Sequence, residues 1–281
     1  RGRELSGKRV LITGGCGYVG EALAQRLLEL NPPVALVRLV DVHLPDASGG
    51  LGDVLTSPRV ELVRCDLTVD DIPCDEMDIV FHLASYGMSG REMIAPPEKI
   101  RAINLQGTKR VIDSCRKHSC RALVYLSTQN VVFGGQPVYN GDESMPYFPV
   151  DRHVDEYSRS KALAEKAVCS ANDGVNLRTI CIRPAAIYGE GERRHLPRIA
   201  AHIASGLFCI GFGPASVRTD WVYIDSLVDA MLSAAGSLFL PRHANEVAGE
   251  CFFVSDGTPV NVWDFFAPLA RTLGMPTTVV R

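Results

Sequence analysis

The segment RVLITGGCGYVGEALAQRLLEL, Arg9 to Leu30, constrains the fold of this chain more than any other. Its β-branched start reads as a buried strand, and Gly14, Gly15, Gly17 and Gly20 read as a tight turn. The apolar residues that follow at three and four spacing read as an amphipathic helix. A turn without side chains lets a backbone approach a pyrophosphate closely, and the amides at the helix start can hold that anion. The spacing fits G-x-G-x-x-G from Gly15 and G-x-x-G-x-x-G from Gly14. Glycines in such a turn also serve packing alone, so the pattern needs independent support.

The alternation continues downstream. VALVRLVD, VELVRCD, DIVFHLAS, ALVYLST and LRTICIRP read as further strands, with IRAINLQGTKRVIDSCRKH and DEYSRSKALAEKAV as helices between them. Strands alternating with helices over this length predict an α/β fold, a doubly wound parallel sheet of the Rossmann type covered on both faces. Past Gly189 the pattern loosens, and RRHLPRIAAHIASG, DWVYIDSLVDAMLSAAG and NVWDFFAPLARTLG read as helices between Gly and Pro breakers. The chain is expected to divide into a dinucleotide-binding domain over residues 1–189 and a smaller C-terminal substrate lobe over residues 190–281, partly interleaved with the first. The turn-rich stretch LPDASGGLGDVLTSP reads as a loop without an assigned role.

With 281 residues, 46% of them hydrophobic, the chain can bury a full core. Its formal charge is −3 with Lys and Arg scattered, which leaves no electrostatic footprint for a phosphate backbone, so no nucleic-acid partner is expected. Nine cysteines, Cys16, Cys65, Cys74, Cys115, Cys120, Cys169, Cys181, Cys209 and Cys251, are dispersed without a C-x-x-C pair. They read as reduced thiols with no metal centre. No signal-peptide core opens the chain, and no run approaches the roughly 18 apolar residues of a membrane helix. A cytoplasmic location is expected.

Asp41 supports the glycine turn. It closes the second strand about 20 residues past Gly20, where a carboxylate accepts hydrogen bonds from an adenosine ribose. A 2′-phosphate there would meet like charge, so NAD is expected over NADP, with Arg38 the cation that could alter the preference. Asp66, after the third strand, is a candidate for the adenine amino group or equally a turn cap.

Tyr157 and Lys161 stand four apart in a helix and can converge on one point. An ordinary phenol, with a pKa of about 10, is a poor base at neutral pH, but a neighbouring ammonium stabilises the phenolate. Tyr157 would then exchange a proton with an alcohol whose carbon gives hydride to a nicotinamide, while Lys161 holds the nicotinamide ribose. An isolated Y-x-x-x-K is far more often a half-buried tyrosine beside a solvated lysine. Its place downstream of a nucleotide turn favours the chemical reading.

TGGCGYVG, HLAS at His82 to Ser85, NLQGT at Asn104 to Thr108, YSRSK and RPAAIYG at Arg183 to Gly189 resemble, in order and spacing, the signatures of extended short-chain dehydrogenases/reductases. STQNVVFGG, SYGMSGRE and GDESMPYFP resemble more narrowly the 3β-hydroxysteroid dehydrogenase/isomerase group and its 42E branch. The resemblance covers nearly the whole chain. It implies Tyr157 as proton donor and acceptor with Lys161 as its partner. It places Gly14, Gly17, Tyr18, Val19 and Gly20 around the pyrophosphate, Asp41 on the ribose, Asp66 and Leu67 at the adenine, and Ala84 and Asn104 along NAD. Pro184 and Ile187 would meet the nicotinamide amide. It further implies a small hydrophobic alcohol or ketone, favouring a sterol, as substrate, a role in steroid biosynthesis, and a homodimer paired through a face that includes the helix of Tyr157.

Two departures qualify the resemblance. Relatives carry a catalytic Ser or Thr at the third place of a run ahead of the tyrosine, and here that place is Gln129. Either Thr128 takes the role, or the Gln129 amide holds the substrate oxygen, or the chemistry is weakened; Thr128 is the reading adopted. The chain also ends at Arg281, short of extended relatives, and steroid dehydrogenases of the group often continue into a membrane anchor. If such a part is missing, the lobe is truncated and the location becomes the cytoplasmic face of an internal membrane.

The leading reading is an NAD-dependent oxidoreductase of a secondary alcohol, with a 3β-hydroxysteroid favoured. One alternative is a nucleotide-sugar epimerase, in which Arg218 holds a diphosphate, unless it forms an ion pair with Asp220 or Asp225. The other is a non-catalytic NAD-binding sensor or scaffold. A dehydratase is disfavoured because TQN offers no acid after the threonine. His82, His153 and His195 read as packing or surface residues rather than ligands.

Overall fold

In the computed structural model, β1 (Arg9–Thr13) is buried from Val10 onward, and the glycine turn passes the chain into α1 (Tyr18–Leu28). Buried Gly20, Leu23, Ala24 and Leu27 give α1 the apolar stripe that helical periodicity demands. The structure describes residues 2–45, 51–88, 90–206, 214 and 216–275. Cys209, the centre of the loop after the second strand and Ser89 of SYGMSGRE lie outside the described residues.

Next come β2 (Leu36–Asp41), α2 (Gly52–Thr56), β3 (Val60–Arg64), β4 (Ile79–His82), α3 (Pro97–Arg101), α4 (Thr108–Lys117) and β5 (Ala122–Leu126). They are followed by α5 (Glu156–Ala171), β6 (Arg178–Pro184), β7 (Ala186–Tyr188), α6 (Leu196–Ala204) and β8 (Trp221–Tyr223). The last are α7 (Ile224–Phe239), α8 (Pro241–Val247), β9 (Cys251–Val254) and α9 (Val262–Thr272). Seven strands pair in parallel in the order β3-β2-β1-β4-β5-β6-β9, the doubly wound sheet expected. Central β4 and β5 are buried along their whole length, as strands covered on both faces must be. On one face, Leu11, Val80, Leu123 and Tyr125 pack with Val111, Ile112 and Cys115 of α4 and Ala164 and Val168 of α5. The winding direction reverses between β1 and β4. Ligands of open α/β sheets bind beyond the carboxyl ends of the strands at such a point.

The chain forms two compact units, Arg1–Pro184 with Leu227–Val254, and Ala185–Ser226 with Ser255–Arg281. In the smaller unit β7 pairs in parallel with β8, and Trp221 stacks on Phe265 at 3.7 Å between ring centroids. Ile203, Phe266 and Ala270 form its core.

Several details depart from the sequence reading, one of them α2, which forms within the stretch read as a loop after the second strand. DWVYID, expected to open a helix, supplies β8 instead, because Trp221, Val222 and Tyr223 are strand formers with β7 to pair against; the helix begins at Ile224. The helix expected across Ile100 to His118 is α3 and α4 joined by a π-helical turn, Ala102–Gly107. β9 has no counterpart in that reading, being four half-buried residues at a sheet edge. Among the described residues no single helix is long and apolar enough to cross a membrane; α7 and α8 pass that test only as a pair bent by 115°.

Candidate active site

Gly14 adopts φ +69°, and a Cβ on it would lie 2.8 Å from the Ala84 backbone nitrogen. A Cβ on Gly20 would meet the Gly14 carbonyl at 2.5 Å. These two glycines therefore bring β1, the end of β4 and α1 into contact. Gly17 is exposed, and a Cβ there would touch only the Gly14 oxygen, at 3.2 Å. Gly17 at the N-cap of α1 presents no side chain, so an anion can approach the start of the helix across it.

The same turn carries Asp41. Gly14 and Gly15 donate to the Val40 carbonyl at 2.8 and 3.2 Å, and the Asp41 carboxylate accepts from the Cys16 and His43 amides, both at 3.1 Å. A carboxylate has about four acceptor sites, so capacity remains for a ribose. Arg38 is committed elsewhere, to Glu61 at 2.7 Å, the Pro73 carbonyl at 2.7 Å and Asp75 at 3.2 Å. Asp66 caps its own turn, accepting from the Thr68 amide and hydroxyl at 2.8 and 2.7 Å, and those bonds hold its carboxyl below the usual range. Leu67 is buried in the core beside Gly107. An open anion cradle beside a carboxylate with spare acceptors fits a dinucleotide.

A buried polar chain runs from Thr13 through His82, which the sequence suggests as a packing residue, to Asn104, which it suggests as an NAD contact. His82 is fully buried, with Nδ1 2.6 Å from Thr13 Oγ1 and Nε2 2.8 Å from Thr108 Oγ1. The Thr108 hydroxyl spends its only hydrogen on the Asn104 carbonyl at 2.6 Å, so it must accept from His82 Nε2–H. Nδ1 is then the acceptor and Thr13 the donor, which assigns the tautomer. Asn104, in the π-helical turn, exchanges hydrogen bonds with the Tyr86 backbone at 2.8 Å each way and donates to Ser160 Oγ at 2.9 Å; Ser160 in turn donates to the Tyr157 carbonyl at 2.9 Å. Asn104 thus ties the segment after β4 to the helix of Tyr157.

Burial, with the Lys161 charge close by, pushes His82 down to about 3. In the unfolded chain it takes up a proton near its ordinary value of about 6.5. Its contribution to stability is therefore complete above that value and is lost as pH falls toward the folded value. His82→Gln, which cannot titrate, is expected to reduce the loss of stability between about pH 6.5 and 5 by about 2 kcal/mol. Urea unfolding at several pH values measures it, and an unchanged slope would exclude His82 as the source.

Asp155 caps α5, accepting from the Ser158 amide at 2.7 Å and its hydroxyl at 3.0 Å. Tyr157, Lys161 and Glu165 follow at four-residue steps and are all buried. The Lys161 ammonium donates to the Leu126 carbonyl at 2.5 Å and lies 4.1 Å from the centre of the Tyr125 ring. Tyr157 is close enough to Tyr125 for its charge to help burial raise that phenol's pKa. Burial pushes Lys161 down to about 7, against the opposing pull of Glu165. Glu165 is fixed by Arg183, with contacts of 2.7, 3.1 and 3.2 Å.

β5 ends at Leu126, so strand alternation does not extend to Gln129. Gln129 opens a short 3-10 turn, Gln129–Val131, capped by buried Thr128, whose Oγ1 accepts from the Asn130 amide at 3.2 Å and keeps its own hydrogen to donate. Ser127 is buried, and its hydroxyl acts on the Glu165 carboxyl. Pro184 ends β6, whereas Ile187 belongs to β7 of the smaller unit. Arg218 is exposed.

A parallel sheet wound in this order, with a glycine turn at its switch point and a Tyr-x-x-x-Lys helix after β5, defines an extended short-chain dehydrogenase/reductase. Within that class, the chain belongs to the 3-beta hydroxysteroid dehydrogenase/isomerase family, which it matches over residues 11–280. It is 42% identical over 278 residues to short-chain dehydrogenase/reductase family 42E member 1 of Danio rerio, across 96% of this chain and 69% of that protein. It is 35% identical over 272 residues to sterol-4-alpha-carboxylate 3-dehydrogenase ERG26, decarboxylating, of Candida albicans, across 94% of this chain and 73% of that protein. Among solved structures it resembles a UDP-galactose 4-epimerase, with a TM-score of 0.75 and 24% identity over 95% of this chain and 84% of the other. It also resembles DesIV, a dTDP-glucose 4,6-dehydratase from Streptomyces venezuelae solved with NAD and TYD bound, with a TM-score of 0.77 and 22% identity over 97% and 83%. At these identities the solved structures attest the fold alone.

Proposed function

We propose that the chain is an NAD-dependent dehydrogenase of secondary alcohols, with a 3β-hydroxysterol as substrate. The observation that carries this reading is the buried stripe of Tyr157 and Lys161 on a helix whose lysine is held at the end of β5. The Candida albicans relative, named a sterol dehydrogenase, supports the substrate class. Gly14, Gly17, Tyr18, Val19 and Gly20 would hold the pyrophosphate, Asp41 the adenosine ribose, Asp66 and Leu67 the adenine, and Ala84, Asn104, Pro184 and Ile187 the remainder. When bound, NAD supplies the hydride acceptor. Lys161 stabilises the Tyr157 phenolate, whose Oη takes the proton of the substrate hydroxyl and becomes the neutral phenol, and Thr128 donates a hydrogen bond to the substrate oxygen. The smaller unit serves as the substrate lobe.

Reduction of NAD by a panel of 3β-hydroxysterols, with and without a 4α-carboxylate, tests the proposal beside UDP-sugars. Sterol-dependent NADH formation is the expected result. Conversion of UDP-galactose without it would make the chain an epimerase, and NAD binding without any turnover would make it a sensor.

Asp41 gives a separate prediction. With Arg38 engaged inward, Asp41→Ala is expected to weaken NAD about 10- to 100-fold by removing charged hydrogen bonds. NADP, which meets repulsion from the carboxylate, should lose nothing. Calorimetric titration with both nucleotides reads the difference, and equal losses would disprove the assignment.

A further inference from the structure

Three cysteines distant in sequence meet on the helix of the proposed active site. Cys169 continues the four-residue steps of Tyr157, Lys161 and Glu165 along α5, and Cys181 of β6 and Cys251 of β9 are register partners in adjacent strands. Cys169 Sγ lies 3.7 Å from that of Cys181 and 3.5 Å from that of Cys251, and all three sulfurs fall within 4.8 Å of one another. We propose that Cys169, Cys181 and Cys251 form a three-thiolate site for one soft, thiophilic cation, Cu(I) or Zn(II).

The distances suit an ion better than a cross-link. Sulfurs each about 2.3 Å from a shared ion stand about 4 Å apart, so the trio would shift by only a few tenths of an ångström. A disulfide would need a sulfur to move by about 1.5 Å and would leave a thiol over. Three thiols without a fourth cysteine, histidine or carboxylate in the described cluster favour low coordination, which soft ions accept. Charge is partly balanced, because Arg183 acts on Cys251 and Lys161 on Cys181, although Glu165 opposes them at Cys169. Cys169 and Cys251 are half-buried, so the cluster is not sealed within the core, whereas Cys181 is fully buried.

A second trio provides an internal control. Cys74, Cys115 and Cys120 meet the same distance criterion, but all three are buried in the core with Ile72, Met77 and Ile112 around them. With no half-exposed member to admit an ion, they are read as small apolar packing residues.

The test uses the full, reduced, chelator-stripped chain titrated with Cu(I) against a Cu(I)-selective chromogenic chelator, and in parallel with Zn(II) against a zinc chelator. The chain is expected to withdraw a single equivalent of one of these ions; which arm responds identifies the ion. Cys169→Ala and Cys251→Ala should each weaken binding by roughly 100-fold or more, and Cys74→Ala should leave it unchanged. Wild-type protein needs no variant to fold for the second measurement, in which the ion should protect Cys169 and Cys251 from alkylation, read by peptide mass spectrometry. Failure to withdraw either ion, unaltered binding in both variants, or alkylation of Cys169 and Cys251 regardless of the ion would each overturn the site. None of these readouts depends on dehydrogenase activity.

Discussion

Tyr157→Phe is expected to lower sterol-dependent NAD reduction by about 10²–10⁴-fold, the range that a positioned acid-base group supplies. The substitution removes one oxygen and keeps the ring that fills a buried place on α5. The helix start is held independently, by the Asp155 cap and by the ion pair of Glu156 with Arg101 at 2.9 Å, so the fold should tolerate the change. The Tyr157 carbonyl still accepts from Ser160, which keeps the link through Asn104 to the segment after β4. NAD affinity should therefore stay within about threefold of wild type, because the residues proposed to hold the pyrophosphate and ribose belong to the glycine turn, α1 and β2. Steady-state kinetics together with calorimetric titration of NAD separate the two effects. Turnover near the wild-type rate would remove Tyr157 from the chemistry, and a parallel collapse of NAD binding would reduce it to a structural role.

The parts of the molecule that could be read in the sequence are those in which a local rule and the tertiary structure agree. Strand, glycine turn and helix from Arg9 to Leu28 follow from short-range patterning, since Gly14 and Gly20 satisfy steric demands made by immediate neighbours and by the next strand end. What escaped depends on pairing between distant segments. β8 holds its extended form only because β7 lies beside it, and three residues are too few for alternation to show. The π-helical turn is invisible to periodicity, yet it sets Asn104 between Tyr86 and Ser160. His82 looked like packing because one residue cannot reveal that Thr13 and Thr108 will flank it from β1 and α4. Cys169, Cys181 and Cys251 likewise meet only through the β6–β9 register.

The same tertiary setting makes Lys161 a residue that weakens the fold, which Lys161→Met should expose. Lys161 is 2% exposed and its pKa is pushed down from 10.5 to about 7 by burial, despite Glu165 one turn away. The unfolded chain therefore binds a proton that the folded chain gives up throughout that interval. Stability is complete above the unfolded value and declines as pH falls toward 7, below which the penalty is constant. A shift of this size corresponds to at most about 5 kcal/mol. Methionine fills a similar volume without charge but leaves the Leu126 carbonyl unpartnered, a cost of about 1–3 kcal/mol. The net expectation is a variant about 2–3 kcal/mol more stable than wild type at pH 7, with the advantage shrinking and then reversing toward pH 10.5 as the lysine becomes neutral in both states. Turnover should be lost at pH 7 and below, where the wild-type lysine carries the charge that stabilises a Tyr157 phenolate. Chemical unfolding at pH 7 and pH 10, with activity measured on the same samples, tests both halves. A variant less stable than wild type at pH 7 would mean that the Leu126 hydrogen bond and the 4.1 Å contact with the Tyr125 ring outweigh desolvation. Greater stability with activity retained would instead detach the lysine from catalysis.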